Sequence, residues 1–436
     1  MNTQSNKAHV ISLGCSKNLV DSEQLLYQLK RAGYQVSHNS DHIEEGVVII
    51  NTCGFIQDAK EESIETILEY AQAREEGIIE RLYVFGCLSQ RYADELKAEI
   101  PEVDAFYGKF DWHHILEDLG SEYCMKERHR RILTTPAHYA FVKISEGCNR
   151  HCAYCAIPLI TGRHRSRPME DIVQEVKELV AGGVKEVQLI AQDLSYYGKD
   201  LYGRFNLAEL MERLSDIEGL EWLRLHYTYP HLFPMDILKV MRERKNICHY
   251  LDMAFQHCSD HMLQQMRRHI NAEESYQLIE AIRKEVPDIH LRTTLMVGHP
   301  GETEEDFEAL KTFVQKVRFE RMGAFSFSSE EGTYSGDHYQ DDVAQEVKEA
   351  RLDELMALQH NISEEINQEK VGKCLKVIID REEEDYYIAR SEFDSPEVDP
   401  EIFIDKTKKL KIGSFYQARI TQADTYDLFA EIVENQ

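Results

Sequence analysis

Three apolar segments of this chain each end in cysteine: HVISLGC closes on Cys15, VVIINTC on Cys53 and RLYVFGC on Cys87. Continuous apolar runs separated by helix-like stretches are the pattern of parallel strands buried on both faces. The intervening stretches run from Asn18 to Gly33, over 56–72 and over 89–99. Gly33 suits a C′ position, and Pro101 stops the third stretch. Open parallel sheets gather ligands beyond the carboxyl ends of their strands, so this topology alone carries Cys15, Cys53 and Cys87 to one rim. Gly14, Gly54 and Gly86 stand beside them and permit tight turns and close approach of a bulky group. The competing reading is three unrelated strand-end cysteines, because cysteine is often buried.

A second set has a different spacing. Cys148, Cys152 and Cys155 lie in one loop, SEGCNRHCAYCAIP, as C-x3-C-x2-C, directly after the apolar run 141–145. Further runs at 187–191, 222–226, 251–255, 290–297 and 323–327 alternate with helix-like stretches such as 169–181 and 303–317. Six parallel strands with crossover helices predict an open relative of the closed eight-stranded barrel, with the cysteine loop again at the carboxyl end. Residues 340–366 read as a charged helical connector. Beyond 370, VIID, YYIAR, FIDK, YQARITQ and LFAEIV read as the short strands of a small antiparallel barrel. The expected fold class is therefore α/β with three domains. These are a doubly wound parallel-sheet domain (1–135), a partial (β/α)6 barrel with its connector (136–366) and a C-terminal antiparallel β-barrel (367–436).

A chain of 436 residues is too long for one ordinary core, and 42% apolar residues argue against disorder. No apolar run has the length of a membrane span, and MNTQSNKAHV lacks a signal-peptide core, which predicts a soluble cytoplasmic protein. The ten cysteines are then expected to be reduced. Cys124, Cys248, Cys258 and Cys374 fit no ligand spacing and are read as buried small apolar residues. The formal net charge of −28 opposes stable nucleic-acid binding and favours a basic partner. The terminal segment is itself acidic and better suited to a basic protein surface than to an oligonucleotide. KERHRR at 126–131 and GRHRSRP at 162–168 are local basic islands, for which solvated charge is the ordinary explanation.

Three thiolates can hold three irons of a [4Fe–4S] cube, whose stable ligation normally uses four. Each cysteine set would thus leave one iron open. Zinc, with His151 as a fourth ligand to the loop, is not excluded by spacing. An amino-acid ligand with amine and carboxylate could chelate an open iron, and S-adenosylmethionine carries both groups.

SEGCNRHCAYCAIPLITGRHRSRP resembles the signature of radical S-adenosylmethionine methylthiotransferases, and the resemblance covers essentially the whole chain. SLGCSKNLVDSE at 12–23, NTCGFIQDAKEESIE at 51–65, LIAQDLSYYG at 189–198 and SSEEGT at 328–333 resemble the RimO branch of that family. The resemblance implies an N-terminal cluster domain, a partial radical barrel and a terminal TRAM barrel. It implies two [4Fe–4S] clusters. Cys148, Cys152 and Cys155 would hold the one that delivers an electron to S-adenosylmethionine, and Cys15, Cys53 and Cys87 an auxiliary one that carries the sulfur. The implied reaction adds a methylthio group to the β-carbon of an aspartate in small-subunit ribosomal protein twelve, a basic protein, with a separate protein as reductant. Strand-end position makes Gln192, Asp193, Gln256, His257 and Arg292, with Gly298 and Gly301 of VGHPGET, candidate contacts to S-adenosylmethionine. Structural hydrogen bonds at the barrel mouth are the alternative, and GHPGE is equally a turn that starts a helix capped by Thr303. Ser16, Ala254, Phe255 and His299 depart from the family's usual residues. Two rival functions are a tRNA adenosine methylthiotransferase and a non-catalytic iron–sulfur electron carrier.

Overall fold

The computed structural model describes residues 6–40, 42 and 45–433. Its N-terminal sheet has five parallel strands in the order Gln35–His38, Lys7–Ser12, Val47–Thr52, Arg81–Gly86, Ala105–Phe106. The three central strands are those expected from their apolar runs. The two flanking strands are short and partly polar, so they carry no comparable signal. Helices Ser16–Arg31, Gln57–Glu75 and Cys87–Glu99 follow the three central strands. All six residues of Val47–Thr52 are buried, and apolar clusters fill both faces, one around Ile50, Ile67 and Val84, the other around Ile49, Leu25 and Phe85. This is the doubly wound arrangement a continuous apolar strand requires.

The second sheet is open, with six parallel strands in chain order: Tyr139–Lys143, Glu186–Ile190, Trp222–Thr228, Ile247–Met253, His290–Val297 and Arg321–Ser326. The fourth starts four residues earlier than its apolar run, because Cys248 and His249 interrupt the hydropathy without interrupting the strand. Helix Glu304–Val317 is opened by Thr303 in a reciprocal capping box with Asp306. The connector is the helix Gln345–Gln368, and it is more than a charged spacer: Leu355 and Ile362 enter the main core of the partial barrel.

The terminal five strands close into a barrel. Its pairs are antiparallel except Ile402–Asp405 with Leu428–Ile432, which run parallel. That one parallel pair arises because the hairpin Phe415–Ala423/Leu428–Ile432 returns its second strand alongside Ile402–Asp405 in the same direction. This barrel stoppers the amino end of the partial barrel. Glu186 binds Arg224 (2.9 Å) and Arg390 (2.8 Å), Arg321 binds Asp394 (2.6 Å), and Tyr139 donates to Glu397 (2.8 Å). The opposite, carboxyl end is left for the cysteines.

Each basic island sends one arginine inward, while Lys126, Arg128, Arg130, Arg163 and Arg165 stay exposed. Arg131 and Arg167 converge on the buried Glu175 at 3.5 and 2.7 Å, and Arg128 pairs with Asp171 at 2.8 Å. Cys248 and Cys258 are buried as expected; Cys124 is only half-buried and Cys374 is exposed. Cys124 precedes a single helical turn and Cys374 opens a strand, positions where a side chain can face outward. Among the described residues no helix is long and apolar enough to cross a membrane.

Candidate functional site

The N-terminal trio sits on three strand-to-helix turns. Cys15 caps Ser16–Arg31, Cys53 follows Val47–Thr52, and Cys87 begins its helix directly after Arg81–Gly86. The register pairs Thr52 with Gly86 and Ser12 with Asn51, so the three strands end at one level. Glycine lets the turns crowd together. A Cβ on Gly14 would lie 2.8 Å from that of Cys53, and one on Gly86 would lie 2.5 Å from the Thr52 carbonyl oxygen. Both glycines hold positive φ (92° and 117°), which a side chain would strain. Asn18 ties the turns together. Its amide donates to the carbonyls of Leu13 (3.1 Å) and Thr52 (3.0 Å), and its oxygen accepts from the Cys87 thiol (3.6 Å) and the Lys109 ammonium (3.2 Å).

Cys15 keeps accessible surface at its turn. Burial opposes its ionisation, but the charges of Lys17 and Lys109 and backbone N–H groups outweigh it, so its pKa falls below the ordinary thiol value. Cys53 goes the other way through burial, and Cys87 is pushed up to about 11 by burial that Lys109 only partly offsets. Lys109 is held by Asp21 at 3.2 Å; Asp21 also takes Lys143 at 2.5 Å, and Lys143 pairs with Glu146. Glu146 stands two residues before Cys148. A buried chain of ions therefore runs from one cysteine set to the other. Lys17 extends from the first set toward the partial barrel, its ammonium 4.0 Å from the centre of the Tyr227 ring.

The second trio lies in the loop after Tyr139–Lys143. Gly147 (φ 77°) permits the turn, since a Cβ there would lie 2.2 Å from the Arg163 carbonyl oxygen. The loop is closed by Cys148 N–H donating to Gly162 (3.1 Å) and Cys155 N–H donating to Cys152 (3.1 Å). Burial pushes the Cys148 thiol up to about 12, and burial also raises that of Cys155. Cys152 has polar company: Arg268 Nη1 at 3.2 Å and the Tyr229 hydroxyl at 3.5 Å.

The two trios share a wall. Cys87 packs in one apolar cluster with Ala156 and Ile160, immediately beyond Cys155. Glu330 of the SSEEGT segment clasps the N-terminal domain, binding Lys60 at 2.9 Å and Arg91 at 3.4 Å, while Arg91 also donates to the Glu331 carbonyl at 2.8 Å. Among the described residues no three His, Cys, Asp or Glu side chains are gathered closely enough to hold a single metal ion. A cubane makes a different demand, because each thiolate binds its own iron and the sulfurs stand apart.

The expected cofactor contacts fall into two groups. Gln192 donates to Glu146 (3.1 Å), and Asp193 accepts from Arg150 (2.6 Å) and the Ser195 N–H (2.9 Å), all at the mouth beside the cysteine loop. The side-chain oxygens of Gln192 and Gln256 are buried without a hydrogen-bond partner among the described residues. His257 donates to Glu302 at 3.1 Å and accepts from the N–H groups of Cys258 and Ser259 at 3.0 Å. Glu302 in turn takes the Gly298 N–H (2.6 Å) and Arg351 (2.7 Å). Gly301 donates to Asp342 at 2.7 Å. His257, Gly298 and Gly301 thus anchor the GHPGE turn to the connector region. Arg292 is paired with Asp399 of the terminal barrel at 2.7 Å, toward the amino end.

Sequence reasoning missed Asn18, Lys17, Lys109, Lys143, Glu146 and Arg268. Lys17 and Asn18 sit inside SLGCSKNLVDSE and could have been singled out by nearness to Cys15; Lys109 and Arg268 carried no local signal.

An open six-stranded parallel barrel with a C-x3-C-x2-C loop after its first strand is the framework of a radical S-adenosylmethionine protein, here with a sheet domain before it and a small barrel behind it. Family models agree: the Radical SAM superfamily matches residues 142–314, the TRAM domain 371–433, and an uncharacterized protein family, UPF0004, residues 7–108. Among solved structures, the radical S-adenosylmethionine methyltransferase TsrM from Kitasatospora setae, with cobalamin and a [4Fe–4S] cluster bound, aligns with TM-score 0.56 at 13% identity. The alignment covers 76% of this chain and 77% of that one. The cobalamin-dependent enzyme OxsB aligns with TM-score 0.51 at 11% identity over 82% of this chain and 56% of that one. These establish likeness of fold. Sequence likeness goes further. The chain is 61% identical to the ribosomal protein uS12 methylthiotransferase RimO of Phocaeicola vulgatus over 98% of its length and 99% of the relative's. It is 62% identical to that of Bacteroides fragilis over 97% and 98%, and 50% identical to that of Cytophaga hutchinsonii over 99% of both. The chain belongs to the RimO family of methylthiotransferases.

Proposed function

We propose that this protein adds a methylthio group to the β-carbon of an aspartate in small-subunit ribosomal protein uS12, with two [4Fe–4S] clusters and S-adenosylmethionine as its cofactors. The observation that carries the reading is the apolar cluster of Cys87 with Ala156 and Ile160, which supports a site in which the two thiol trios lie near each other. It is supported by full-length relatives named for that reaction. The donor set fits: three thiols in each trio, glycines at Gly14, Gly86 and Gly147 that admit a bulky group, and a cationic Lys17–Lys109 environment suited to thiolates. An open-site cluster with S-adenosylmethionine supplies one-electron cleavage, which reaches a C–H bond that acid–base chemistry cannot.

The chain's own residues do the rest. Cys148, Cys152 and Cys155 hold the cluster beside S-adenosylmethionine, and Cys15, Cys53 and Cys87 hold the auxiliary one. Gln192 and Gln256 offer buried acceptor oxygens for donors of S-adenosylmethionine. Asp193, His257, Gly298 and Gly301 fix the shape of the mouth through partners they already hold, whereas Arg292 is held by Asp399 at the amino end. The acidic terminal barrel suits a basic protein substrate. A separate reductant supplies the electron, and the work is placed in the cytoplasm.

Anaerobic incubation of the reconstituted protein with a reductant, S-adenosylmethionine and either isolated uS12 or tRNA tests this, read by mass spectrometry. Methylthiolation of uS12 alone is expected. Methylthiolation of the tRNA, or 5′-deoxyadenosine without any modified product, counts against it.

A further inference from the structure

Cys152 differs from its two loop partners in having a cation at its sulfur. The Arg268 guanidinium lies with Nη1 3.2 Å from Cys152 Sγ and 3.2 Å from the Tyr154 hydroxyl, and its Nη2 donates to the Ala254 carbonyl. Arg268 is 3% exposed. Its guanidinium carbon lies over the Tyr229 ring, 4.2 Å from the ring centre, and the Tyr229 hydroxyl donates to the Arg268 carbonyl at 3.0 Å. Side chain and backbone are thus both fixed, and no carboxylate is paired with this arginine among the described residues. Its Nε–H is buried without a partner. A buried, unneutralised guanidinium is costly unless an anion faces it. Among the described residues its charged end meets the Cys152 sulfur and the neutral Tyr154 hydroxyl, so the sulfur as thiolate, and through it whatever centre the trio binds, is the anion that can face it.

We propose that Arg268 sets the electron affinity of the centre held by Cys148, Cys152 and Cys155, by a charge-assisted N–H···S hydrogen bond to Cys152. The inference rests on the cluster ligation proposed above. Hydrogen bonds to cluster sulfurs and nearby charge are among the levers that fix reduction potential. A donor and a positive charge stabilise the more negative, reduced state, so Arg268 makes the centre easier to reduce by its electron donor. Arg268 touches a ligand rather than a substrate, and is therefore a positioning and tuning residue. The N-terminal trio has its own cations, Lys17 and Lys109, and lies outside the reach of Arg268.

The test is a redox titration followed by electron paramagnetic resonance on the full-length, reconstituted protein, in wild type, Arg268→Gln and Arg268→Lys, with iron and sulfide content measured on each. Arg268→Gln is expected to move the midpoint of the triple-cysteine-loop centre to more negative potential, with Arg268→Lys between it and wild type. The other centre should keep its midpoint. Unchanged midpoints in both variants overturn the proposal. So does loss of that cluster from Arg268→Gln with a wild-type midpoint in Arg268→Lys, or loss from both, because the arginine would then serve only to shape the loop. Loss from Arg268→Gln with a shifted midpoint in Arg268→Lys supports it. If the wild type itself binds no cluster at the loop, the parent reading fails, and the tuning proposal falls with it.

Discussion

Cys87, the last cysteine of the N-terminal trio, shares one buried apolar cluster with Ala156, the residue after Cys155 of the barrel loop. Two sites written some sixty residues apart in different domains are thereby put on one partition. The division of labour between them can be separated by single substitutions.

Cys148→Ala is expected to abolish 5′-deoxyadenosine formation while iron remains at the N-terminal trio. Cys53→Ala is expected to retain 5′-deoxyadenosine formation and lose methylthiolation of the substrate. Product analysis with iron content on each variant checks this; identical behaviour of the two variants would contradict separate roles.

In metal-free protein, Cys15 should react with iodoacetamide faster than Cys87. Burial opposes ionisation at both, but Lys17 and Lys109 bring Cys15 below the ordinary thiol value, whereas Cys87 stays at about 11. The thiolate ratio is roughly a hundredfold or more, and the lower nucleophilicity of the more acidic thiol cuts the rate advantage to about tenfold. Peptide mapping after timed labelling at neutral pH measures it. Equal rates would contradict the opposite shifts of the two thiols.

Glu330 bridges the domains through Lys60 and Arg91, with its side chain 6% exposed. Glu330→Ala leaves two cations without their shared carboxylate and should cost about 3 kcal/mol. Arg381→Ala, which breaks an exposed pair with Glu401, should cost less than about 1 kcal/mol. Urea unfolding of both variants compares them; similar small losses would remove Glu330 as a domain clasp.

Asp252 is buried in the partial barrel, and burial lifts its pKa to about 6, with Arg292 lowering it and Asp399 raising it. The folded-state value lies above the unfolded one, so this carboxyl favours the fold when protonated. That contribution is complete below about pH 4 and is lost as pH rises through about 6. Asp252→Asn should therefore gain stability relative to wild type between pH 5 and pH 7.5, on the order of 2 kcal/mol. A variant-minus-wild-type difference that does not change with pH would rule out the titration.

Much of this layout is legible in the residues themselves. The strands ending at Cys15, Cys53 and Cys87 are written as continuous apolar runs, and a parallel sheet has only one rim at which such ends can meet. The six barrel strands follow from the same signal, and Thr303 with Asp306 announces its helix by a local pairing. What the chain does not display is whatever depends on distant contact. Arg268 meets Cys152 across 116 positions, and Glu330 meets Lys60 across 270. No periodicity encodes such pairs, since they arise only when segments distant in the chain are brought together by the tertiary fold. Arg292 illustrates the converse: read as a strand residue near the mouth, it turns toward Asp399, because the terminal barrel fills the amino end with carboxylates. The parallel pair Ile402–Asp405 with Leu428–Ile432 was hidden for a related reason, since strand direction in a closed barrel is fixed by the order in which strands join and not by their composition.

The most direct test of the proposed nearness of the two centres is electron paramagnetic resonance of the reduced, fully loaded protein compared with variants lacking either trio, Cys15/Cys53/Cys87→Ala and Cys148/Cys152/Cys155→Ala. Two paramagnetic centres on either side of the Cys87–Ala156 partition should couple, so the wild-type spectrum should be broadened or split relative to the sum of the two variant spectra. A wild-type spectrum equal to that sum would contradict the facing arrangement.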